Sequence, residues 1–509
     1  ARKDDAVVVD DVAHLVPLGL WELDLGTRKL QRLGVTRDRI GAFQVSPDGR
    51  YAVALHDPGT RWEYDQQEVP RTRVWDLDRG TSVELPVDVH QVPDAFAWAA
   101  DSRSFYALYR HFTHPAFSQV GVEAAYRASA PGWKPVALPL AWDRGFGPFL
   151  QALDGRLLAC LEDGLIRRMA FLDPAGGAPR LLANPAEGHP MLVLADASGT
   201  KGAALLSSAR RPPEWYAVTF GPKGLEVRRR LTHLNPHLEG KAFARVEPYH
   251  VAGAEGPVEG LLYYPADYRP GRAYPLVLNP HGGPGLNDRD EWNENEHHPC
   301  QLHAQAGAFV LQLNYSGSTG YGLAFAERLM GRYLGPELVD LKQAMADLVG
   351  RGLVDPRRIG LTGWSNGAIL GWALLADSPF PLRAASLGAG DVNFVSDWSN
   401  CQFGASFDGY YLGASLVDAP DLYWRRSILP RLGGATTPTI IFHGERDREV
   451  PTEQAWQGYR FLQQAGKAPV RLVLFPGEEH EFKQPVHILR KLEEEMAWFD
   501  RYLYAAPRP

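Results

Sequence analysis

The sequence predicts a two-domain protein, with an all-β unit of repeated strands over residues 1–235 and an α/β unit over residues 236–509. Two observations predict this order. In the first half one turn motif recurs about every 50 residues, and in the second half apolar runs alternate with amphipathic stretches. A chain of 509 residues is also longer than one hydrophobic core usually serves.

The recurring turn reads SPDGR, AADSR, ALDGR and DASGT, starting at Ser46, Ala99, Ala152 and Asp196. Each copy is followed by an apolar or alternating strand and then by a hairpin-like stretch, and a further hairpin-like copy starts at Leu20. Repeats of roughly 40–50 residues with about four strands each are typical of a β-propeller. A set of hairpins in a β-sandwich is the alternative. We expect about five blades, or a propeller shortened at its N-terminus.

The second half carries near-continuous apolar runs, as expected for strands buried on both faces of a parallel sheet. Amphipathic stretches that predict helices lie between them. The runs are YPLVLNPH, AFVLQLNY, RIGLTGW, RAASLGAG, PTIIFHG and VRLVLFP. The sequence of this half therefore predicts an α/β domain with a mostly parallel sheet.

Composition excludes several classes of partner. The formal net charge of −7 gives no reason to expect nucleic acid or an anionic membrane. No apolar segment approaches about 18 residues, so no membrane-spanning helix is expected. The N-terminal segment lacks a signal-peptide core, and the three cysteines do not suggest a disulfide framework. We expect a cytoplasmic protein, and the sequence leaves open whether it forms a homo-oligomer.

Ser365 lies in the turn GWSNG, between an apolar strand and a helical pattern. In a Gly-x-Ser-x-Gly turn of this kind the serine hydroxyl is lifted clear of the sheet, which is the nucleophile arrangement of α/β-hydrolases. Gly and Ser are common in turns, so the motif alone is moderate evidence. Its strand-to-helix context strengthens the prediction that Ser365 is a nucleophile.

A serine nucleophile needs a base, and the α/β-hydrolase chain order is serine, acid, histidine. Asp447 follows the strand PTIIFHG, and His480 follows the strand VRLVLFP. Both therefore lie at the carboxyl edge of a parallel sheet, where ligands usually bind. We predict that Asp447 and His480 complete a triad with Ser365.

Other acids and one other base remain as rivals. Asp391 follows the strand RAASLGAG, and Glu445 and Glu449 flank Asp447 in its loop. His487 is the rival base and is expected in the first turn of the last helix.

A tetrahedral oxyanion needs two hydrogen-bond donors. The backbone N–H of Asn366 follows the serine at the start of a helix. In LVLNPHGGPG a strand ends and a Gly-Gly turn follows at Gly282 and Gly283. Glycine allows close approach of the backbone to a substrate. We predict that Asn366 and Gly283 supply the two N–H groups.

Five motifs together resemble the prolyl oligopeptidase family of serine peptidases. They are HGGPG at His281, NYSGSTGYG at Asn314, GWSNGA at Gly363, HGERDREVP at His443 and EEHEF at Glu478. The resemblance covers about residues 231–505, and it is strongest for the acylaminoacyl-peptidase and dipeptidyl-peptidase branches. Two positions depart from the family pattern: Ser316 stands where Arg is usual, and Ala368 where a second Gly is usual.

The resemblance implies a serine peptidase that cleaves short peptides through an acyl-enzyme, without a metal or cofactor. A propeller above the site would exclude folded proteins. A carboxylesterase with the same triad and a non-catalytic binding protein are the alternatives.

Two further clusters have simpler interpretations. His297 and His298, in NENEHHP, are expected in a solvated loop rather than at a metal. Glu63, Asp65 and Glu68, in WEYDQQEVPR, are interpreted as an acidic propeller loop, although propeller glutamates bind the free amino terminus of substrates in dipeptidyl-peptidases.

Overall fold

The computed structural model describes residues 18–33, 38–86, 93–222 and 224–504. The segment 1–17, to which the signal-peptide prediction refers, lies outside these ranges.

Antiparallel sheets make up the first half of the described chain. A two-stranded hairpin comes first and is followed by four sheets of four strands, each built from strands that are consecutive in sequence. The strands are β1 Trp21–Leu23, β2 Leu30–Arg32, β3 Arg39–Val45, β4 Tyr51–Asp57, β5 Arg71–Asp76, β6 Thr81–Glu84, β7 Pro93–Trp98, β8 Ser104–His111, β9 Val122–Ser129, β10 Val136–Ala137, β11 Phe146–Leu153, β12 Arg156–Asp163, β13 Ile166–Leu172, β14 Arg180–Leu181, β15 His189–Ala195, β16 Lys201–Ser208, β17 Arg211–Phe220 and β18 Leu225–Arg230. The predicted β-rich character of this half is confirmed.

The recurring turn joins the first and second strands of every four-stranded sheet. Its aspartate closes the turn: the carboxylate of Asp48 accepts the backbone N–H of Arg50 at 3.0 Å, and that of Asp101 accepts the N–H of Arg103 at 2.9 Å. Consecutive sheets contact one another through their first strands. The same local chemistry therefore builds the corner in these two copies.

The second half contains one eight-stranded mixed sheet. Its order is β19-β20-β22-β21-β23-β24-β25-β26, with antiparallel pairing at β19/β20 and β20/β22 and parallel pairing elsewhere. The strands are β19 Val246–Gly253, β20 Gly256–Tyr263, β21 Tyr274–Leu278, β22 Phe309–Asn314, β23 Val354–Trp364, β24 Leu382–Gly388, β25 Thr439–Gly444 and β26 Val470–Phe475. The mostly parallel sheet predicted from the apolar runs is confirmed.

Helices cover both faces of this sheet, and two apolar clusters form the core between the layers. Three of the helices begin with a proline, whose fixed φ suits the first helical position. The helices are α1 Trp62–Asp65 in the β-rich half, then α2 Cys300–Gln305, α3 Leu323–Ala326, α4 Pro336–Gly350, α5 Asn366–Ala376, α6 Phe394–Asn400, α7 Gly404–Leu412, α8 Pro420–Arg426, α9 Glu453–Ala465 and α10 Pro485–Phe499. Within the described residues, none of these helices is long and apolar enough to cross a membrane.

The two halves share a continuous interface. Leu165 and Ala209 of the β-rich half are buried in the second apolar cluster of the α/β half. Main-chain hydrogen bonds cross the boundary from Gly164 N–H to the carbonyl of Gly320 at 3.1 Å and from Asp290 N–H to the carbonyl of Leu165 at 2.7 Å. On the opposite side, α1 packs against α7. A cleft between the halves is thus held on two sides.

Candidate active site

Ser365 occupies a strained turn between β23 and α5. Its backbone has φ 56° and ψ −129°, a conformation that an L-residue rarely adopts. Its N–H donates to the carbonyl of Gly388 at 2.9 Å. A Cβ on Gly363 would lie 2.5 Å from Gly367, and one on Gly367 would lie 2.1 Å from the carbonyl oxygen of Pro280. The flanking glycines are therefore required by close packing, as the motif predicts.

Asp447 and His480 meet at the carboxyl ends of β25 and β26. His480 Nδ1 and Asp447 Oδ2 are 2.8 Å apart, and both side chains are buried. The other oxygen of Asp447 accepts the backbone N–H groups of Glu449 and Val450, each at 2.9 Å. These contacts fix the carboxylate, so that Nδ1 of His480 carries the proton and Nε2 is left to act on a neighbour.

The electrostatics of the pair agree with this geometry. Burial disfavours the charged carboxylate of Asp447, but hydrogen bonds from His443 and His480 outweigh burial and hold its pKa well below the usual value. Burial also disfavours a charged imidazole at His480. The hydrogen bond and charge of Asp447 overcome that effect and raise the pKa of His480 above its usual value. An imidazolium formed at His480 is therefore stabilised.

Ser365 and His480 are linked through Trp364. The indole N–H of Trp364 donates to the backbone carbonyl of His480 at 3.1 Å, which ties the histidine loop to the residue before the serine. Among the described residues, the Ser365 hydroxyl makes no hydrogen bond to another side chain. Catalytic hydrogen bonds are often long without substrate, and they tighten when it binds.

The rival acids and base take other roles. Glu445 accepts the N–H of Gly477 at 3.3 Å, and His487, in the first turn of α10 as expected, pairs with Glu478 at 2.7 Å. Glu449 lies 3.9 Å from Nε2 of His480, too far for a hydrogen bond. Asp391 has no hydrogen bond to His480 among the described residues. Asp447 alone has the contact that a triad acid needs.

Asp391 belongs instead to a group of buried acids beside the site. Burial and the carboxyl of Asp397 raise its pKa well above the usual value, and Asp397 and Asp408 are raised in the same way by burial and by neighbouring carboxyls. One oxygen of each of the three carboxyls is buried and has no hydrogen-bond partner among the described residues. Charged forms at these positions are therefore disfavoured.

The predicted oxyanion donors lie next to the serine. A Cβ on Gly282 would be 3.4 Å from Cβ and 3.9 Å from Oγ of Ser365, so the glycine loop lies directly against the hydroxyl. Gly283 follows with φ 113°, which only glycine adopts easily, and its N–H belongs to the same loop. Asn366 begins α5, where free N–H groups favour negative charge.

A buried aromatic clamp, which the sequence did not predict, holds Asn366. Its side-chain oxygen accepts the hydroxyl of Tyr333, and its amide donates to the hydroxyl of Tyr315 at 2.7 Å. Tyr315 in turn donates to the carbonyl of His281 at 2.8 Å and stacks on the imidazole of His281, with centroids 4.3 Å apart. The clamp connects the two predicted oxyanion loops. Tyr315 lies within the motif NYSGSTGYG and His281 within HGGPG, so these motifs were the sequence feature that could have indicated the clamp.

A cavity of about 650 Å³ opens between the two halves at this point. Gly283 and Glu449 line it from the active-site loops, Phe407 from α7, and Glu63 from α1. Of the three acids in WEYDQQEVPR, Glu63 lines this cavity, whereas Asp65 pairs with Arg61 and Glu68 accepts the N–H of Thr60 at 2.8 Å. The remaining lining residues are Trp62, Gln66, Arg110, Ser118, Gln119, Gly285, Leu286, Gln402, Phe403 and Tyr411.

Two departures from the family pattern have local explanations. Ser316 is fully buried, its N–H donates to Asp340 at 2.7 Å, and its hydroxyl accepts from Arg328 at 3.3 Å. The guanidinium of Arg328, in the turn after α3, therefore contacts the position at which the family usually has arginine. The methyl group of Ala368 packs where a Cβ on Gly390 would come within 2.6 Å, so the two small residues fit together.

The prediction that His297 and His298 lie in a solvated loop was wrong. His297 is buried and stacks on Trp364, with ring centroids 4.2 Å apart. His298 is half-buried, with Nδ1 2.9 Å from Oδ1 of Asn279. The indole of Trp364 offers an apolar face that covers His297, and no periodicity in NENEHHP indicates that contact.

Comparison with known proteins identifies relatives of this arrangement. Residues 295–505 match the model of the prolyl oligopeptidase family. The chain is 30% identical over 307 residues to the uncharacterized peptidase YuxL of Bacillus subtilis, covering 59% of this chain and 45% of that protein. It is 24% identical over 372 residues to dipeptidyl-peptidase 5 of Aspergillus fumigatus, covering 71% and 50%. The chain thus spans about half the length of these curated relatives.

Among solved structures, the acylaminoacyl peptidase of Pyrococcus horikoshii superposes with a TM-score of 0.69. It shares 18% sequence identity, and the match covers 96% of this chain and 86% of that one. At this identity the likeness concerns the fold: an α/β-hydrolase domain that follows a β-rich domain.

Proposed function

Because residues 295–505 match the prolyl oligopeptidase family, we propose that this protein is a serine peptidase that hydrolyses short peptides, in the manner of acylaminoacyl peptidases and related exopeptidases. The observation that carries the proposal is the 2.8 Å contact between His480 and buried Asp447, beside a strained serine turn. With Nδ1 of His480 directed at Asp447, we propose Nε2 as the proton acceptor for Ser365.

The reaction follows from these positions. Ser365 Oγ attacks the carbonyl carbon of the scissile bond while His480 accepts the hydroxyl proton. The N–H groups of Asn366 and Gly283 stabilise the oxyanion of the tetrahedral intermediate. His480 then gives its proton to the leaving amine, and an acyl-enzyme remains on the serine. Water, deprotonated by His480, releases the acid and restores the hydroxyl. These steps use no metal and no cofactor.

We further propose that the four-stranded sheets form blades of a β-propeller covering the α/β-hydrolase domain, with the domain boundary near residues 235 and 236. Support comes from the repeated turn and from the contacts between first strands of consecutive sheets. A cavity lined by both halves would admit an extended peptide and exclude folded chains. Such substrates agree with a cytoplasmic location.

The test compares peptide and ester substrates on the parent protein and on Ser365→Ala. We expect hydrolysis of peptide p-nitroanilides and covalent labelling by a fluorophosphonate, both lost in Ser365→Ala. Activity confined to acyl p-nitrophenyl esters would identify a carboxylesterase instead. Failure of the parent protein to label would favour a binding protein.

A second series of substrates resolves the class of peptide. Acetyl-amino-acid, free dipeptidyl and blocked Gly-Pro p-nitroanilides report on acylated, free and internal ends respectively. A Glu63→Gln variant tests the acid that lines the cavity: selective loss with the free dipeptidyl substrate would mean that this carboxylate binds an amino terminus. Equal rates on all three substrates would assign it no such role.

A further inference from the structure

Three side chains behind the catalytic histidine converge outside the proposed triad. Glu296 and His297 precede α2, and Glu481 directly follows His480. One potential ligand atom from each of the three lies within 4.8 Å of the others. His297 Nε2 is 3.6 Å from an oxygen of Glu296, and Nδ1 is 3.6 Å from an oxygen of Glu481.

These distances are too long for hydrogen bonds between the side chains. One ion can bind only one ring nitrogen of His297, so the contacts of Nε2 and Nδ1 do not both belong to one shell. One nitrogen and one oxygen from each carboxylate nevertheless lie within 4.8 Å of one another, and turning the exposed Glu481 side chain would bring them to the separation of roughly 3.3 Å found in a tetrahedral shell. Glu296 and His297 are buried, whereas Glu481 is exposed and reaches in from the surface. Two of the three side chains are therefore held in place by burial, and the third leaves the group accessible from solvent.

A second observation points to a ligand. Nε2 of His297 is buried and has no hydrogen-bond partner among the described residues. The ring cannot turn away easily, because it is stacked on Trp364. A buried imidazole nitrogen without a partner is costly unless something binds it.

We propose that Glu296, His297 and Glu481 bind one divalent transition-metal ion of the zinc class, with water completing the shell. One imidazole and two carboxylates suit Zn²⁺, whereas Mg²⁺ and Ca²⁺ prefer oxygen ligands alone. The ammonium of Lys491 lies nearby, where it donates to the carbonyl of Glu296. It also pairs with Glu495, and this carboxylate offsets much of the charge that would repel a cation.

The position of this site couples it to the catalytic loop. Glu481 is covalently next to His480, and His297 stacks on the same Trp364 whose indole binds the carbonyl of His480. A bound ion would join the loop that carries His480 to the loop before α2. The site would therefore act by holding the imidazole in place, and it would not touch the substrate.

The test measures Zn²⁺ binding to the full-length, chelator-treated protein by titration calorimetry, with Mg²⁺ as the comparison ion. We expect one Zn²⁺ per chain and a higher melting temperature with zinc. Glu481→Gln should weaken binding at least tenfold. Glu481 is exposed, so this variant should fold. Glu479→Gln, which changes an equally exposed acid in the same loop, should bind like the parent.

A third variant separates this site from the catalytic imidazole. Zinc binding should persist in His480→Ala, because His480 is not a ligand. The proposal is overturned if the parent binds no zinc at micromolar concentrations, if Glu481→Gln binds as well as the parent, or if His480→Ala alone abolishes binding. None of these readouts depends on peptidase activity, so the result stands apart from the proposed function.

Discussion

The two halves of the molecule differ in their buried acids, although some are ion-paired in both, such as Glu495 with Lys491 in the α/β half. In the β-rich half, Glu162 lies 2.8 Å from Arg167, and Glu214 lies 2.8 Å from Arg230. In the α/β half, a set of buried acids has no lysine or arginine ion pair among the described residues. Its members are Asp288, Glu294, Glu337, Asp391, Asp397 and Asp408.

The contrast reflects what each half must do. A sheet domain that supports a cavity can neutralise its buried carboxylates with arginine. The α/β half concentrates polar groups around the carboxyl edge of its sheet, where the serine and imidazole that we propose to react need a shaped, dry environment. Burial raises the pKa of Asp288, Glu294 and Glu337 to about 8 in each case. We therefore expect substitutions in the α/β half to have the larger effect on activity, and its buried acids to dominate the pH dependence of stability.

The largest effect should come from the nucleophile. Ser365→Ala should lower kcat/KM on a peptide p-nitroanilide by about a thousandfold or more, because the covalent step is lost. Its melting temperature should stay close to that of the parent. Ser198→Ala, in an exposed turn of the β-rich half, is the control and should keep full activity. Equal losses in both variants would remove the functional contrast between the halves.

The next effect concerns pH and stability. Since the pKa values of the buried α/β acids are raised on folding, the unfolded state releases their protons more readily than the folded state. The free energy of unfolding should therefore rise as pH falls from about 8 to about 4.5. Asp447, with its lowered pKa, would oppose this at more acidic pH, and the buried imidazoles of His281, His297 and His298, whose pKa values burial lowers, oppose it in part below about pH 6.5. Urea unfolding across this range measures the effect, and stability that fell steadily with acidification would contradict it.

Replacing one buried acid in each half by its amide should change the free energy of unfolding by unequal amounts. Glu214 accepts hydrogen bonds from Arg230, Thr232 and the N–H of Leu234. Glu214→Gln should lower the free energy of unfolding by about 1–3 kcal/mol, because charge-assisted hydrogen bonds are lost. Asp397→Asn should change the free energy of unfolding little at pH 7, since burial already disfavours the charged form of that carboxyl. Chemical denaturation of both variants measures the two losses in free energy of unfolding. Equal losses would mean that buried acids contribute to stability in the same way in both halves.

The smallest effect should come from the tyrosine clamp. Tyr333→Phe removes the hydroxyl that holds Asn366, and we expect kcat to fall about tenfold through a misplaced oxyanion donor. KM should change little. Tyr410→Phe is the matched control: its hydroxyl is buried and has no partner among the described residues, so activity should be unchanged. An unaltered kcat in Tyr333→Phe would show that the clamp is only structural.

The sequence predicted those features that have a local signature. Three of the four copies of the repeated turn carry an aspartate at the third position, the parallel strands are continuous apolar runs, and the serine turn needs glycine on both sides. Asp447 and His480 could be predicted because strand ends in a parallel sheet converge. Their pairing in the structure agrees with that reasoning.

The features that were missed depend on contacts between distant segments. His297 looked solvated, yet Trp364, 67 residues away, covers it. Tyr333 reaches Asn366 from a turn that carries no motif. That Asp391 has no cationic partner among the described residues depends on which side chains surround it in space. Such features become readable only when the tertiary packing is known.

The burial of Leu165 and Ala209 in the core of the α/β half has a thermodynamic consequence for the whole chain. Removing the β-rich half would expose apolar surface that belongs to the hydrolase core, together with main-chain groups now bonded to Gly164 and Leu165. The two halves should therefore melt in a single calorimetric transition. Neither half is then expected to fold on its own. The cleft between the halves can widen only as far as this shared interface allows.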